Sequence, residues 1–138
     1  MIQLTDEMRR RLSTALVDGH PVISASVRPD GRPRLSYYGS TQVFDDDTLA
    51  IWVRDPNAGL LDRITTNPHM AFTYYNTNEW VYWQFEGRAA VNDDPAVRDR
   101  VYEAAPEPER AKDPDRKGAA VLVALDRVAG REFVMERD

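Results

Sequence analysis

Pro29-Asp30-Gly31-Arg32-Pro33-Arg34-Leu35-Ser36 is the stretch that decides how this chain folds. Proline at 29 presets φ and glycine at 31 supplies a positive φ, so the backbone reverses there and enters an extended segment, Arg34 to Phe44. The segment before the turn, Val22 to Val27, has apolar residues often enough for a buried strand. Further on, Glu86-Gly87-Arg88 lies inside a long extended run, Trp80 to Val91. A glycine in such a run marks a bulge or a close backbone approach.

Short strands punctuated by turns continue on either side. Asp45-Asp46-Asp47 marks a turn before Leu49 to Val53, and Asp55-Pro56-Asn57 breaks that strand. Leu60, Leu61 and Ile64 give a short helix one apolar face, closed by Asn67-Pro68. Met70 to Tyr75 reads as a strand turning at Asn76-Thr77-Asn78 into the long one. Residues 5–18 predict an amphipathic helix capped by Thr5, with Asp6 and Glu7 in its first turn and Gly19 at its end. Pro95 to Ala105 predicts another, and the proline-rich, charged residues 106–117 read as a surface loop. Ala119 to Leu125 and a short piece around Glu132 to Met135 complete the set. No repeat or linker divides residues 1–138, so the expectation is one domain, mainly β: an antiparallel barrel of six to seven strands with short flanking helices.

Composition limits the function classes. A net charge of −5 on 138 residues gives no basic face for phosphate contacts, which argues against a nucleic-acid binder. The basic residues are nearly all arginine, whose fixed fork of donors suits phosphate and carboxylate; a GC-rich genome gives the same bias. No apolar run approaches the roughly 20 residues that span a bilayer, and the first residues lack a basic-then-apolar leader pattern. Without cysteine there is neither a disulfide framework nor a thiolate metal site. The expected setting is the cytoplasm.

Familiar catalytic patterns are missing. His20 and His69 each stand beside a proline with no metal-ligand spacing, so no metal site is expected. The paired aspartates at 45–47 and 93–94 have the positions of turn residues. There is no Gly-x-Ser-x-Gly elbow, no Gly-x-Gly-x-x-Gly and no P-loop. The aromatics at 37–38, 52, 74–75, 80, 82–83 and 85 are unusual in lying on adjacent strands. Alternation sends one of each neighbouring pair to the outer face, where several together would form an apolar wall.

The order of these elements, with Gly31 to Ser36, Asn67-Pro68 and Glu86-Gly87-Arg88-Ala89-Ala90-Val91 in their places, resembles the flavin-binding split barrels of the pyridoxamine 5′-phosphate oxidase-like superfamily. The long strand is most similar to a small actinobacterial branch, many of whose members use a deazaflavin. The resemblance spans roughly residues 5–130. It implies a split β-barrel that forms a homodimer with FMN or coenzyme F-420, the deazaflavin, bound between subunits. By this likeness Arg34, Leu35, Ser36 and Tyr38 contact the ring system, and Val53 and Arg54 run beside the ribityl chain. Asn57, Gly59 and Leu60 face the phosphate at a helix start, while Trp80 and Tyr82 approach from a neighbouring wall.

The implied function is hydride transfer to a small planar organic acceptor, with the cofactor carrying the chemistry and no catalytic acid or base required of the chain. The sequence departs from the pattern at one point. Where the family usually has a lysine for the phosphate, this chain has Leu60, which removes a charge-assisted contact of roughly 1.5–3 kcal/mol. Arg28, Arg34, Arg54 and Arg63 are the cations available to replace it. The alternative implied by the same departure is a non-enzymatic barrel that sequesters a haem, a tetrapyrrole or a flavin.

Overall fold

A computed structural model describes residues 1–138. In chain order the elements are α1 (Asp6–Thr14), β1 (Ile23–Val27), β2 (Pro33–Tyr37), β3 (Gln42–Asp45), β4 (Thr48–Val53), α2 (Leu60–Thr66), β5 (His69–Asn76), β6 (Val81–Asn92), α3 (Pro95–Ala104), α4 (Glu107–Ala111), β7 (Ala119–Gly130) and β8 (Val134–Glu136). All eight strands join one antiparallel sheet in the order β2-β1-β5-β6-β7-β4-β3, with β8 added to β7. The fold is mainly β and of the split-barrel kind.

Alternation along the central strands builds the core. Phe72 and Tyr74 from β5, Trp83 and Phe85 from β6, Val123 and Leu125 from β7, and Leu49 and Ile51 from β4 all turn to one side. Tyr74 stacks on Trp83 with ring centroids 5.3 Å apart. Helix α1 adds Met8 and Leu12, and its entry is fixed by Thr5, whose hydroxyl accepts from the Met8 N–H at 3.1 Å. Helix α2 adds Leu60 and Ile64. A smaller cluster lies on the other face of β4 and β7, where α3 lays Val101 and Tyr102 over Ala50, Trp52 and Ala120.

The long β6 pairs along its length with β5 and β7, and its register with β7 shifts between Glu86 and Gly87. Glu86 faces Arg127 and Gly87 faces Leu125, so Asp126 has no opposite residue. A Cβ at Gly87 would collide with the Ala124 carbonyl oxygen. The glycine therefore serves both the bulge and the close approach expected of it.

The structure corrects several sequence-based boundaries. The extended run from Arg34 to Phe44 is two strands, because the chain reverses at Tyr38–Thr41: the Thr41 N–H and its hydroxyl both donate to the Tyr38 carbonyl, at 3.1 and 2.7 Å. This raises the strand count to eight and sends β2 and β3 to opposite ends of the sheet order. Helix α1 ends at Thr14, and turns carry the chain to Gly19 at φ 82°. Trp80 precedes β6 rather than opening it, with its own φ at 58°.

Residues 106–117 are not a loose loop. They contain α4 and are anchored by buried acids. The Asp113 carboxylate accepts from the Trp52 indole N–H (2.9 Å) and from the Lys117 and Gly118 amides (2.9 Å each). The Tyr102 hydroxyl donates to the Arg110 and Asp113 carbonyls. Local composition suggested exposure because these partners lie far away in sequence. No helix of the chain is long and apolar enough to cross a membrane.

Candidate functional site

Strand β2 has side chains uncovered on both faces. One face carries Leu35 and Tyr37, each 69% exposed, opposite Ala25 and Ile23 of β1. Leu35 borders a groove of about 290 Å³ floored by Ala25, Ala71, Thr73 and Gln84. The other face carries Arg34 and Ser36, paired in register with the buried Ser26 and Ser24.

On that second face a polar cluster forms. Arg63, one turn into α2, donates from Nε to the Ser26 hydroxyl at 2.8 Å. The Ser24 hydroxyl donates to the Ser36 carbonyl at 3.2 Å. Gly59 starts α2 at φ 104°, where an L side chain is strained, and a Cβ there would stand 2.8 Å from Arg63 Nη1. The turn thus leaves room for the Arg63 guanidinium. Tyr38 completes the cluster: burial pushes its phenol above the ordinary value, while Ser36 and the charges of Arg63 and Arg34 pull it back.

Neither Arg34 nor Arg63 has a carboxylate within ion-pair distance, whereas Arg11, Arg32, Arg54, Arg88, Arg110, Arg116, Arg127 and Arg137 each do. Two guanidiniums without carboxylate partners, beside serine and tyrosine hydroxyls, make a donor-rich cluster of the kind that suits an anion. Tyr38 also borders a pocket of about 190 Å³ with Ser40, Val53, Arg54, Ala58 and Glu109. In this pocket Arg54 Nε lies 2.7 Å from Glu109 Oε2.

The sequence-predicted residues therefore separate into groups. Arg34, Ser36, Tyr38, Val53 and Arg54 gather around Tyr38. Asn57 is exposed in the turn before α2, its N–H donating to the Asp55 side chain at 2.9 Å, and Gly59 follows it. Leu60 turns its side chain into the core, 2% exposed, so only its backbone is available to a ligand. Leu35 lies on the opposite face of β2. Trp80 and Tyr82 border a different pocket with Trp83, Arg131 and Phe133, which shares no residue with the one around Tyr38.

Residues 4–129 match the family model described as pyridoxamine 5′-phosphate oxidase. The chain belongs to this family. Its solved structural neighbours include a pyridoxamine 5′-phosphate oxidase-related, FMN-binding protein from Nostoc punctiforme, with a TM-score of 0.73 at 16% identity over 99% of this chain and 94% of that one. HupZ of Group A Streptococcus has a TM-score of 0.70 at 16% identity, covering 98% and 99% of the two chains. An FMN-binding protein from Syntrophomonas wolfei has a TM-score of 0.68 at 12% identity, covering 94% and 92%. At such identities the likeness is one of fold. No curated protein matches the sequence.

For this family member, sequence reasoning left Arg63 as one of four candidate cations and did not single out Ser24, Ser26 or Glu109. Spacing carried a signal for Arg63, since it follows Gly59 by one helical turn and so stands over the same end of α2. The two serines carried a weaker one, as hydroxyls on the inward side of an otherwise apolar strand. Glu109 carried none, because it reaches the site only through the fold of residues 106–117.

Proposed function

We propose that this family member is a homodimeric, flavin-dependent oxidoreductase that transfers hydride to a small planar organic acceptor. The observation that carries the reading is the pair Arg34 and Arg63. In a chain of net charge −5, two guanidiniums without acidic partners face the same hydroxyls around Tyr38. A phosphate monoester is the anion such a pair suits, since each fork supplies parallel donors.

The residues present fit a flavin phosphate. Arg63 would hold it, oriented by Ser26 and admitted by Gly59, with Arg34 and the hydroxyls of Ser36 and Tyr38 adding donors. Arg63 would thus take the place of the usual lysine. When bound, the flavin supplies the hydride chemistry. The chain would bind its polar end and hold the ring along the uncovered β2. A second subunit laid on Ile23, Leu35 and Tyr37 would close the remaining side of β2, and Trp80 and Tyr82 would reach the cofactor from that subunit.

Titration of the purified protein with FMN, followed by flavin fluorescence, tests the proposal. Micromolar binding is expected, and Arg63→Ala should weaken it by about 1.5–3 kcal/mol, tenfold or more. Arg63→Lys should recover part of the loss by restoring charge without the fork. Absence of FMN binding together with tight haemin binding would replace the oxidoreductase reading with a sequestering one.

A further inference from the structure

Away from the arginine pair, the turn into β6 and the turn from β7 to β8 border a notch of about 310 Å³ lined by Trp80, Tyr82, Trp83, Arg131 and Phe133. Its size is at the lower end of the range typical of small-molecule sites. Trp80 is 63% exposed and holds φ at 58°, a left-handed conformation that is costly for a bulky side chain. The turn that keeps it there is braced. The buried Asn76 side chain accepts from the Asn78 and Glu79 N–H groups at 3.0 and 3.1 Å, and Glu79 pairs with Arg11 at 2.5 Å. Phe133 is pressed against Gly130, where any Cβ would collide with its ring. Tyr82 stands edge-on to Tyr75, with centroids 5.6 Å apart, whereas Trp80 pairs with no other ring of the chain. The indole is thus held out in water by a strained and anchored backbone, with fixed aromatic neighbours and nothing of its own to stack on.

The charges around the notch are sorted as well. The Arg131 guanidinium has no carboxylate within ion-pair distance. Its one hydrogen bond is a long one, from Nη1 to the Trp80 carbonyl at 3.5 Å, which leaves the rest of its fork free. Of the two acids in the lining, Glu7 is already bound to Arg11 at 3.2 Å. Glu132 follows Arg131 in the chain without pairing with it, and no hydrogen bond ties its carboxylate into the notch.

We infer that this notch binds a planar aromatic carboxylate, whose ring lies against the Trp80 indole and whose carboxylate is received by the free donors of Arg131. The inference deepens the oxidoreductase reading and rests on it in one respect. Trp80 and Tyr82 are the residues proposed to reach the flavin of a second subunit, so the occupant of the notch is the acceptor, and its class narrows from any planar molecule to an aromatic acid. Arg131 is then a specificity-determining residue. Binding itself needs only one subunit's residues and no flavin.

Calorimetric titration of the flavin-free protein with naphthoate, naphthol and naphthylmethylammonium tests it, since the three probes share a ring system and differ in charge. Wild type should bind naphthoate about tenfold or more tightly than either of the others. Arg131→Gln should weaken naphthoate by about tenfold while leaving naphthol within about threefold, and Arg131→Lys should recover part of the loss. Trp80→Ala should weaken naphthoate and naphthol alike, by about fivefold. Circular dichroism verifies that each variant is folded. Arg63→Ala is the control for the other donor cluster and should leave naphthoate binding unchanged. No naphthoate binding to the wild type, a preference for the cationic probe, or a loss that follows Arg63→Ala instead of Arg131→Gln each overturns the inference. Titration with FMN is scored separately. If FMN binds and naphthoate does not, the flavin reading stands and the notch fails. If naphthoate binds through Arg131 and FMN does not bind, the site stands and its role in receiving an acceptor falls with the flavin reading.

Discussion

Strands β4 and β2 are both parts of hairpins in the same sheet, yet they meet opposite fates. Five of the six residues of β4 are buried, because Leu49, Ile51 and Val53 enter the core while Ala50 and Trp52 are covered by α3. No residue of β2 is fully buried. The chain thus supplies a cover for each face of one strand and for neither face of the other. Trp52 is enclosed by Tyr102 at 5.2 Å, Arg98 at 5.0 Å and the Asp113 carboxylate. Tyr37 and Leu35 have no such neighbours, and Arg34 has no acid.

The sharpest way to break this contrast is to empty the covered side. Trp52→Ala should destabilise the fold by about 3–5 kcal/mol in denaturant unfolding, because it leaves a cavity under α3 and removes a donor from Asp113. A loss below about 1 kcal/mol would mean that α3 and α4 are not a true cover.

Asp113 gives a smaller effect with a pH signature. Burial pushes its carboxyl up, but the amides of Lys117 and Gly118 and the Trp52 indole outweigh this and hold it below the ordinary carboxylate value. A depressed folded pKa contributes stability that is present above the unfolded value, about 3.9, and lost as pH falls through the folded one. Asp113→Asn should therefore cost about 1–3 kcal/mol near neutrality, and the difference should shrink as pH drops below about 4. A deficit that stays constant down to strongly acidic pH would assign the effect to geometry rather than to charge.

The smallest effect on stability belongs to the open side. Leu35→Glu should shift the unfolding free energy of the subunit by no more than about 0.5 kcal/mol, since Leu35 is already in water. It should nevertheless dissociate the proposed dimer in sedimentation velocity. A variant that remains dimeric would place the second subunit elsewhere and leave the outer face of β2 to another partner.

Much of the fold was legible where one local rule acted alone. Thr5 caps α1, Gly31 turns β1 into β2 at φ 87°, Asn67-Pro68 ends α2, and Gly87 marks the bulge in β6. The reading failed where distant residues decide. Nothing between Pro106 and Lys117 indicates that Glu109 and Asp113 are buried, because the groups that satisfy them, Arg54 and Trp52, come from β4 and its end. The turn after Tyr37 was missed because Tyr38 and Val43 prolong an extended pattern across Gly39-Ser40. At the site, alternation along β2 puts Leu35 on the face opposite Arg34 and Ser36, a separation that the grouping of all three as ring contacts did not make. The rotation of α2, which buries Leu60 and Ile64 and directs Arg63 to Ser26, is what makes Arg63 rather than residue 60 the proposed phosphate ligand.

The strand order has a consequence for how the chain is made. β4 bonds to β3 on one side and to β7 on the other, with Thr48 opposite Ala124 and Val53 opposite Ala119. During synthesis the β3–β4 hairpin emerges long before residues 119–124 exist, and until they do its most apolar strand has one edge without a partner. Assembly must therefore await the last quarter of the chain before its most buried strand is sealed, which favours slow closure and a need for protection in the interval. Strand β2, by contrast, has its only strand partner, β1, beside it from the start.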